Sequence, residues 1–205
     1  MIEILRAGGI VIVPLLLFSL VSIALIIERI VFWIQLSRHQ RKFGHTVLTT
    51  FRSNPESIVP LLQGNLLSPL ARILLEALEI RNLSPQQFHL AIASAIQGEL
   101  PRLRRFDTAF STIISVSPLL GLLGTILGLI NSFDAIELGS MAQNAKDVTG
   151  GISEALVSTA AGLVVAIGTL FFANIFRGLY RREMAFIQEY AGQMEVIYES
   201  QCSAE

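Results

Sequence analysis

The sequence predicts an all-α membrane protein: three transmembrane helices with an extended cytoplasmic helical bundle, N-terminus out and C-terminus in. Three observations lead there. Hydrophobic residues make up 52% of the 205-residue chain and charged residues only 15%, against about 25% charged in a soluble domain. Apolar runs near 10–32, 109–133 and 151–176 each reach the roughly 20 residues that a helix needs to cross a hydrocarbon core. Of the fifteen Lys and Arg, only Arg6 and Lys146 precede the first run or separate the second from the third. Cytoplasmic segments carry the Lys/Arg excess, so the central region and the tail are expected inside.

The chain reads as a single domain, 1–205: a first transmembrane helix at 10–32, cytoplasmic helices over 36–107, transmembrane helices at 109–133 and 151–176, and a cytoplasmic helical tail over 177–205. The first run is too long for a signal-peptide core. It ends at Glu28-Arg29 without a small-residue cleavage site, so it reads as a retained span. Pro14 lies near its start, and Trp33 falls where interfacial aromatics gather. Glu28 is either a proton carrier or a membrane-edge charge paired with Arg29 or a neighbouring chain.

Three start signals follow, Asn54-Pro55, Ser68-Pro69 and Ser84-Pro85. Each sets a capping side chain before a proline at the first helical position, where its missing donor costs nothing. Gln87 completes a capping box with Ser84, and Gln63-Gly64-Asn65 ends the first short helix. Leu70, Ile73, Leu74, Ala77 and Leu78 make one apolar face; Phe88, Ile92, Ile96, Leu100 and Leu103 make another. The second of these helices is expected to run straight into the next span, kinked at Pro101.

The second span carries Ser117, Gly121, Gly124, Gly128 and Ser132 at steps of three or four, one stripe along a helix. Pro118 should bend it. A loop is expected over 134–149. The third span repeats the pattern with Gly151, Ala155, Ser158, Gly162, Ala166, Thr169 and Ala173. Such stripes let helix backbones approach where lipid supplies no hydrophobic drive between helices. In the tail, Tyr180, Met184, Ile187, Ala191, Met194 and Tyr198 form a heptad seam. It is short, and is expected to pack on the other cytoplasmic helices.

No constellation for covalent chemistry is present. The chain has no HExxH, no phosphate-binding glycine loop after a strand and no G-x-S-x-G. His39, His45 and His89 are not at ligand spacing, so neither an enzyme, a metal site nor a cofactor is expected. Cys202 is the lone cysteine and rules out an internal disulfide. Arg102, Arg104 and Arg105 form a juxtamembrane basic cluster. It reads as a topology signal and an anionic lipid contact, not a nucleic-acid site.

Thr125 and Thr159 fall at comparable depths, each eight residues in from the outer ends near Phe133 and Gly151, or roughly 12 Å. A threonine in a membrane helix often bonds the carbonyl three or four residues back. Two at matching depth on small-residue faces also suit the polar lining of a shared interior. Glu154 is the only acid in the third span and close to its outer end, either functional or interfacial. Threonine does not titrate near neutrality, so if protons move here a partner must bring the ionisable group.

The runs Pro118-Leu-Leu-Gly-Leu-Leu-Gly-Thr-Ile-Leu-Gly-Leu-Ile130 and Gly151-Ile-Ser-Glu-Ala-Leu-Val-Ser-Thr-Ala-Ala-Gly-Leu-Val-Val-Ala-Ile167 resemble the MotA/TolQ/ExbB proton-channel family, closest to its ExbB branch. The resemblance implies an inner (plasma) membrane homopentamer whose second and third spans line a pore. That pore would hold an ExbD-type single-span subunit whose membrane aspartate carries the proton. Proton-motive force would then drive mechanical work on a TonB-like transducer for energised transport across the outer membrane. One charge crossing 100 mV yields about 2.3 kcal/mol, so substantial work needs several protons. By motif, Thr125 and Thr159 match the pore threonines, Glu154 the glutamate at the outer mouth, and Gly121, Gly124, Gly128, Gly162 and Ala166 the packing positions of the ring. Gly168 stands where many relatives have proline, and Val148-Thr-Gly-Gly151 departs from relatives with proline before the glycine. TolQ-like envelope maintenance, a motility motor and a non-conducting membrane scaffold are the alternatives.

Overall fold

A computed structural model describes residues 10–37, 40–80, 83–138 and 141–203, without the side chains of 40, 41, 134–138, 141–148 and 154. The described residues form α1 (Ile12–Ser37), α2 (Gln40–Ser53), a 3₁₀ turn at Pro55–Ser57, α3 (Ile58–Gln63), α4 (Pro69–Glu79), α5 (Pro85–Leu103), α6 (Asp107–Leu138) and α7 (Met141–Cys202). No strand occurs among them. Three helices are long and apolar enough to cross a membrane, lying within Ile12–Ser37, Asp107–Phe133 and Thr149–Cys202. Two compact units result, 1–28 with 106–175 and 29–105 with 176–205.

The first unit holds the apolar lengths of α1, α6 and α7. Pro14 is the third residue of α1, inside the first turn, where backbone donors have no intrahelical partner in any case. Leu15, Ser22 and Ile26 of α1 are buried, whereas Val13, Leu17, Leu20, Ile23 and Ile27 are exposed. The outward faces of α6 and α7 are equally apolar, with Leu119, Ile126 and Phe133 on one and Leu156, Val164 and Phe171 on the other. A helix apolar all round suits hydrocarbon and not water.

The second unit packs α2 against α3, α3 against α4 and α4 against α5. Leu70, Ile73, Leu74 and Ala77 are buried on α4, and Phe88, Ile92, Ala95 and Leu103 on α5. Ile96 and Leu100 of the expected α5 face are only half-buried. Arg72 and Glu99 join the two helices through a two-pronged ion pair, one prong being Nε to Oε2 at 2.9 Å. The heptad seam of α7 buries Ile187, Ala191 and Met194. Tyr198 stacks on Phe88 with centroids 4.1 Å apart and donates to the Leu83 carbonyl at 2.9 Å. Phe186 and Tyr190 press against Gly44 of α2, where a Cβ would lie 2.7 Å from the Tyr190 ring.

Three local expectations bear directly on the connections. The capping box forms, with Gln87 N donating to Ser84 Oγ at 3.3 Å and Ser84 N donating to Gln87 Oε1 at 2.9 Å. Ser84→Ala should therefore lower stability by about 1 kcal/mol, and Ser84→Asp should retain most of it; thermal unfolding of the detergent-solubilised chain measures both. In contrast, α5 does not run straight into the second span. It ends at Leu103, and Phe106, with φ of 68°, turns the chain into α6. The Phe106 carbonyl accepts the first bond of α6, from Phe110 N at 2.9 Å. Pro101 sits inside the last turn of α5 without ending it, so the helix is interrupted at a left-handed residue rather than kinked at the proline. Finally, most of the expected 134–149 loop is helical: α6 reaches Leu138 and α7 begins at Met141. Ala135, Glu137 and Leu138, then Met141, Ala142 and Gln143, are good helix formers, and polarity alone does not break a helix.

Candidate functional site

The small-residue stripes of α6 and α7 face each other. Ser117, Gly121, Gly124, Gly128 and Ser132 are buried on α6; Ala155, Ser158, Gly162, Ala166 and Thr169 are buried on α7. The register is antiparallel. A Cβ on Gly128 would lie 2.9 Å from the Gly151 carbonyl oxygen, one on Gly121 would lie 2.9 Å from Thr159 Cα, and one on Gly162 would lie 2.5 Å from the Ser117 carbonyl oxygen. A Cβ on Gly124 would collide with the Ser158 hydroxyl. These obstacles are mainly backbone, so the approach exists only because the positions are glycine.

Hydroxyls bind the seam across the gap. Thr159 Oγ1 donates to the Gly121 carbonyl at 2.9 Å. That carbonyl is also the helical acceptor for the Thr125 amide, four residues on, so the two threonines singled out in the sequence meet at one oxygen. Their side chains do not meet. Thr125 Oγ1 donates to Leu122 O of its own helix at 2.6 Å, and Thr159 stands opposite Gly121, about one turn from Thr125. Ser158 Oγ donates to Ala155 O at 2.8 Å. Ser117 is fully buried and its hydroxyl has no hydrogen-bond partner. Glu154 lies on the backbone of α7, and its side chain falls outside the described residues.

Two residues gain importance that the sequence reading did not give them. Ser22 of α1 bonds Thr169 of α7, oxygen to oxygen, at 2.7 Å. Thr169 Oγ1 donates its proton to Val165 O at 2.7 Å, which makes Ser22 the donor between the two helices. Ser22 is one of two serines, with Ser19, in an otherwise apolar stretch of the first span, and that hydroxyl was the available signal. Arg29 is the other: it is 3% exposed, donates from NH2 to the Leu103 carbonyl at 2.5 Å, and lies over the Phe32 and Trp33 rings at 4.5 and 5.7 Å. It therefore satisfies a carbonyl at the C-terminus of α5, where four carbonyls lack helical partners.

Between Asp107 and Asp134, and between Glu154 and Arg177, the chain contains no Asp, Glu, Lys, Arg or His. Three apolar helices with a hydroxyl-bearing seam between backbones in near contact define a multi-span membrane protein, and among the described side chains of that seam none is titratable. The chain belongs to the MotA/TolQ/ExbB proton channel family, whose sequence profile matches residues 65–189. The "Putative biopolymer transport protein ExbB-like 3" of Synechocystis sp. is 59% identical over 193 residues, 94% of this chain and 92% of its own. The "Biopolymer transport protein ExbB" of Salmonella typhimurium is 46% identical over 66 residues, 32% of this chain and 27% of its own. The "Tol-Pal system protein TolQ" of Haemophilus influenzae is 36% identical over 84 residues, 41% of this chain and 36% of its own.

Proposed function

We propose that the chain is the pore-forming subunit of a motor in the inner (plasma) membrane, driven by proton-motive force. A homopentamer encloses an ExbD-type single-span subunit and couples proton flow to work on a TonB-like partner, energising transport across the outer membrane. The N-terminus faces out; the second unit and the α7 tail are cytoplasmic. The task is transport and mechanical coupling, with no covalent chemistry. One observation carries the reading: the hydroxyl of Thr159 bonds the Gly121 carbonyl, the helical acceptor of the Thr125 amide, in a seam with no titratable group among its described side chains. Such a wall offers a passing proton no residence of its own, so the carrier is the partner's membrane aspartate. Thr125 and Thr159 line its path and Glu154 stands at the outer mouth.

The test is proton flux into vesicles holding the chain with its single-span partner. Thr159→Val keeps the shape and loses the hydroxyl. It should cut flux roughly tenfold, equivalent to about 1.4 kcal/mol on the barrier, with assembly retained, and Thr159→Ser should recover it. Normal flux through an assembled Thr159→Val complex would remove the threonine from the path. The Thr125 bond to its own helix favours a second reading, a non-conducting scaffold whose hydroxyls serve packing alone. In that case flux with the partner is no higher than without it.

A further inference from the structure

We infer that the cavity beside the end of α1 in the second unit seats the headgroup of an anionic phospholipid from the bilayer. The cavity measures about 670 Å³, inside the roughly 300–1,000 Å³ range of small-molecule sites. Leu36, Phe43, Leu66 and Leu67 supply apolar lining, and Arg102 lines the same cavity. Leu36 lies in the last turn of α1, three residues after Trp33, at the end of an apolar span where headgroups are met.

The charge at this site is uncompensated. Arg72 also lines the cavity, but it is committed to Glu99 and to the Leu66 carbonyl. Arg102 is exposed and has no hydrogen bond or ion pair among the described residues. Its neighbours in sequence are occupied: Arg104 lies 5.3 Å from the centre of the Tyr180 ring, and Arg105 is engaged within the chain. Of the three arginines that a diffuse basic cluster would treat alike, geometry singles out Arg102. Ser68 adds a hydroxyl oxygen enclosed by the protein with no partner, a donor suited to a phosphate oxygen.

A small soluble anion accounts for the arginine but not for the leucines. Leu67 is 85% exposed and Leu66 49%, side by side in a turn closed by Ser68 N donating to Asn65 O at 2.9 Å. Two adjacent leucines turned outward beside a free cation match the boundary between headgroup and acyl chain. The phosphate meets Arg102 and Ser68, and the first methylenes lie on Leu66, Leu67 and Phe43.

This inference rests on the membrane-spanning part of the proposed function and not on proton conduction. The delipidated full-length chain in detergent is titrated with short-chain phosphatidylglycerol, and bound lipid is counted by native mass spectrometry. Phosphatidylcholine and inorganic phosphate serve as the comparison probes. Phosphatidylglycerol should bind at one per chain and more tightly than phosphatidylcholine. Arg102→Gln should weaken it about fivefold, the worth of one basic residue at a lipid surface, and Arg104→Gln should leave it unchanged. Leu67→Ser should weaken both lipids alike, which keeps the test open if Arg102→Gln folds poorly. Unaltered binding to a folded Arg102→Gln chain, an equal loss with Arg104→Gln, equal affinity for phosphatidylcholine, or displacement by inorganic phosphate would each overturn the seat. Loss of proton flux with lipid binding retained would instead overturn the motor.

Discussion

Gly162→Ala should be among the most disruptive single-methyl changes in the chain. The added carbon would lie 2.5 Å from the Ser117 carbonyl oxygen and 3.2 Å from Gly121 Cα. Both are backbone atoms of α6, so no rotamer change relieves the clash and the helices must separate. Overpacking of this kind costs about 1–3 kcal/mol, occasionally more, and here it also stretches the neighbouring bond from Thr159 to Gly121. Intrinsic helix propensity pulls the other way, since Ala exceeds Gly by about 1 kcal/mol; the rigid contact decides the sign. Gly168→Ala supplies the control. Nothing lies within 4 Å of its added carbon, so that variant should gain up to about 1 kcal/mol. Thermal unfolding of the isolated chain in detergent separates the two, and equal midpoints would mean that α6 and α7 are not in the contact described.

Arg29→Leu should be nearly as damaging, for an electrostatic reason. It leaves the Leu103 carbonyl without its side-chain donor and removes a guanidinium packed on two rings. A hydrogen bond involving a charged group contributes about 1.5–3 kcal/mol, and the ring contacts add to that. Arg29→Lys keeps the charge but not the planar surface that covers both Phe32 and Trp33, so it should recover less than half of the loss. Trp33 is the only tryptophan, and its emission reports the change directly. A shifted spectrum and a lowered unfolding midpoint are expected for Leu, with smaller changes for Lys; a wild-type spectrum in Arg29→Leu would show that Arg29 does not pack on that ring.

The helices were legible because their signals are local. Apolar length marked the spans, Ser84 with Gln87 marked the start of α5, and four-three spacing marked the buried face of α7. The seam was half legible. Steps of three and four in Gly, Ala and Ser show that two helices have faces made for close approach, but they do not fix the register. Counting inward from the outer ends aligned Thr125 with Thr159, whereas contact places Gly121 opposite Thr159. The difference comes from the ends themselves: helix continues through most of the polar stretch, so the chosen origins were not the true ones. The break at Phe106 was hidden because a left-handed backbone at a non-glycine residue leaves no mark in the sequence; it costs roughly 1–2 kcal/mol and persists only through the packing around it. Arg29 was visible as a charge at the edge of a span, yet its partner at Leu103 lies 74 positions away.

The hydroxyls of the seam have one further property. A hydroxyl owns a single proton, and Thr125 and Thr159 have each given theirs to a backbone carbonyl, those of Leu122 and Gly121. What remains on each oxygen is lone-pair density alone, so toward any visitor these threonines act as acceptors. An ionised carboxylate, itself acceptor-only, finds no answering donor in them, while a neutral carboxylic acid can present its O–H. The fold thus converts two chemically ambivalent side chains into a surface of one polarity, which discriminates between the two protonation states of a carboxyl group while carrying no charge.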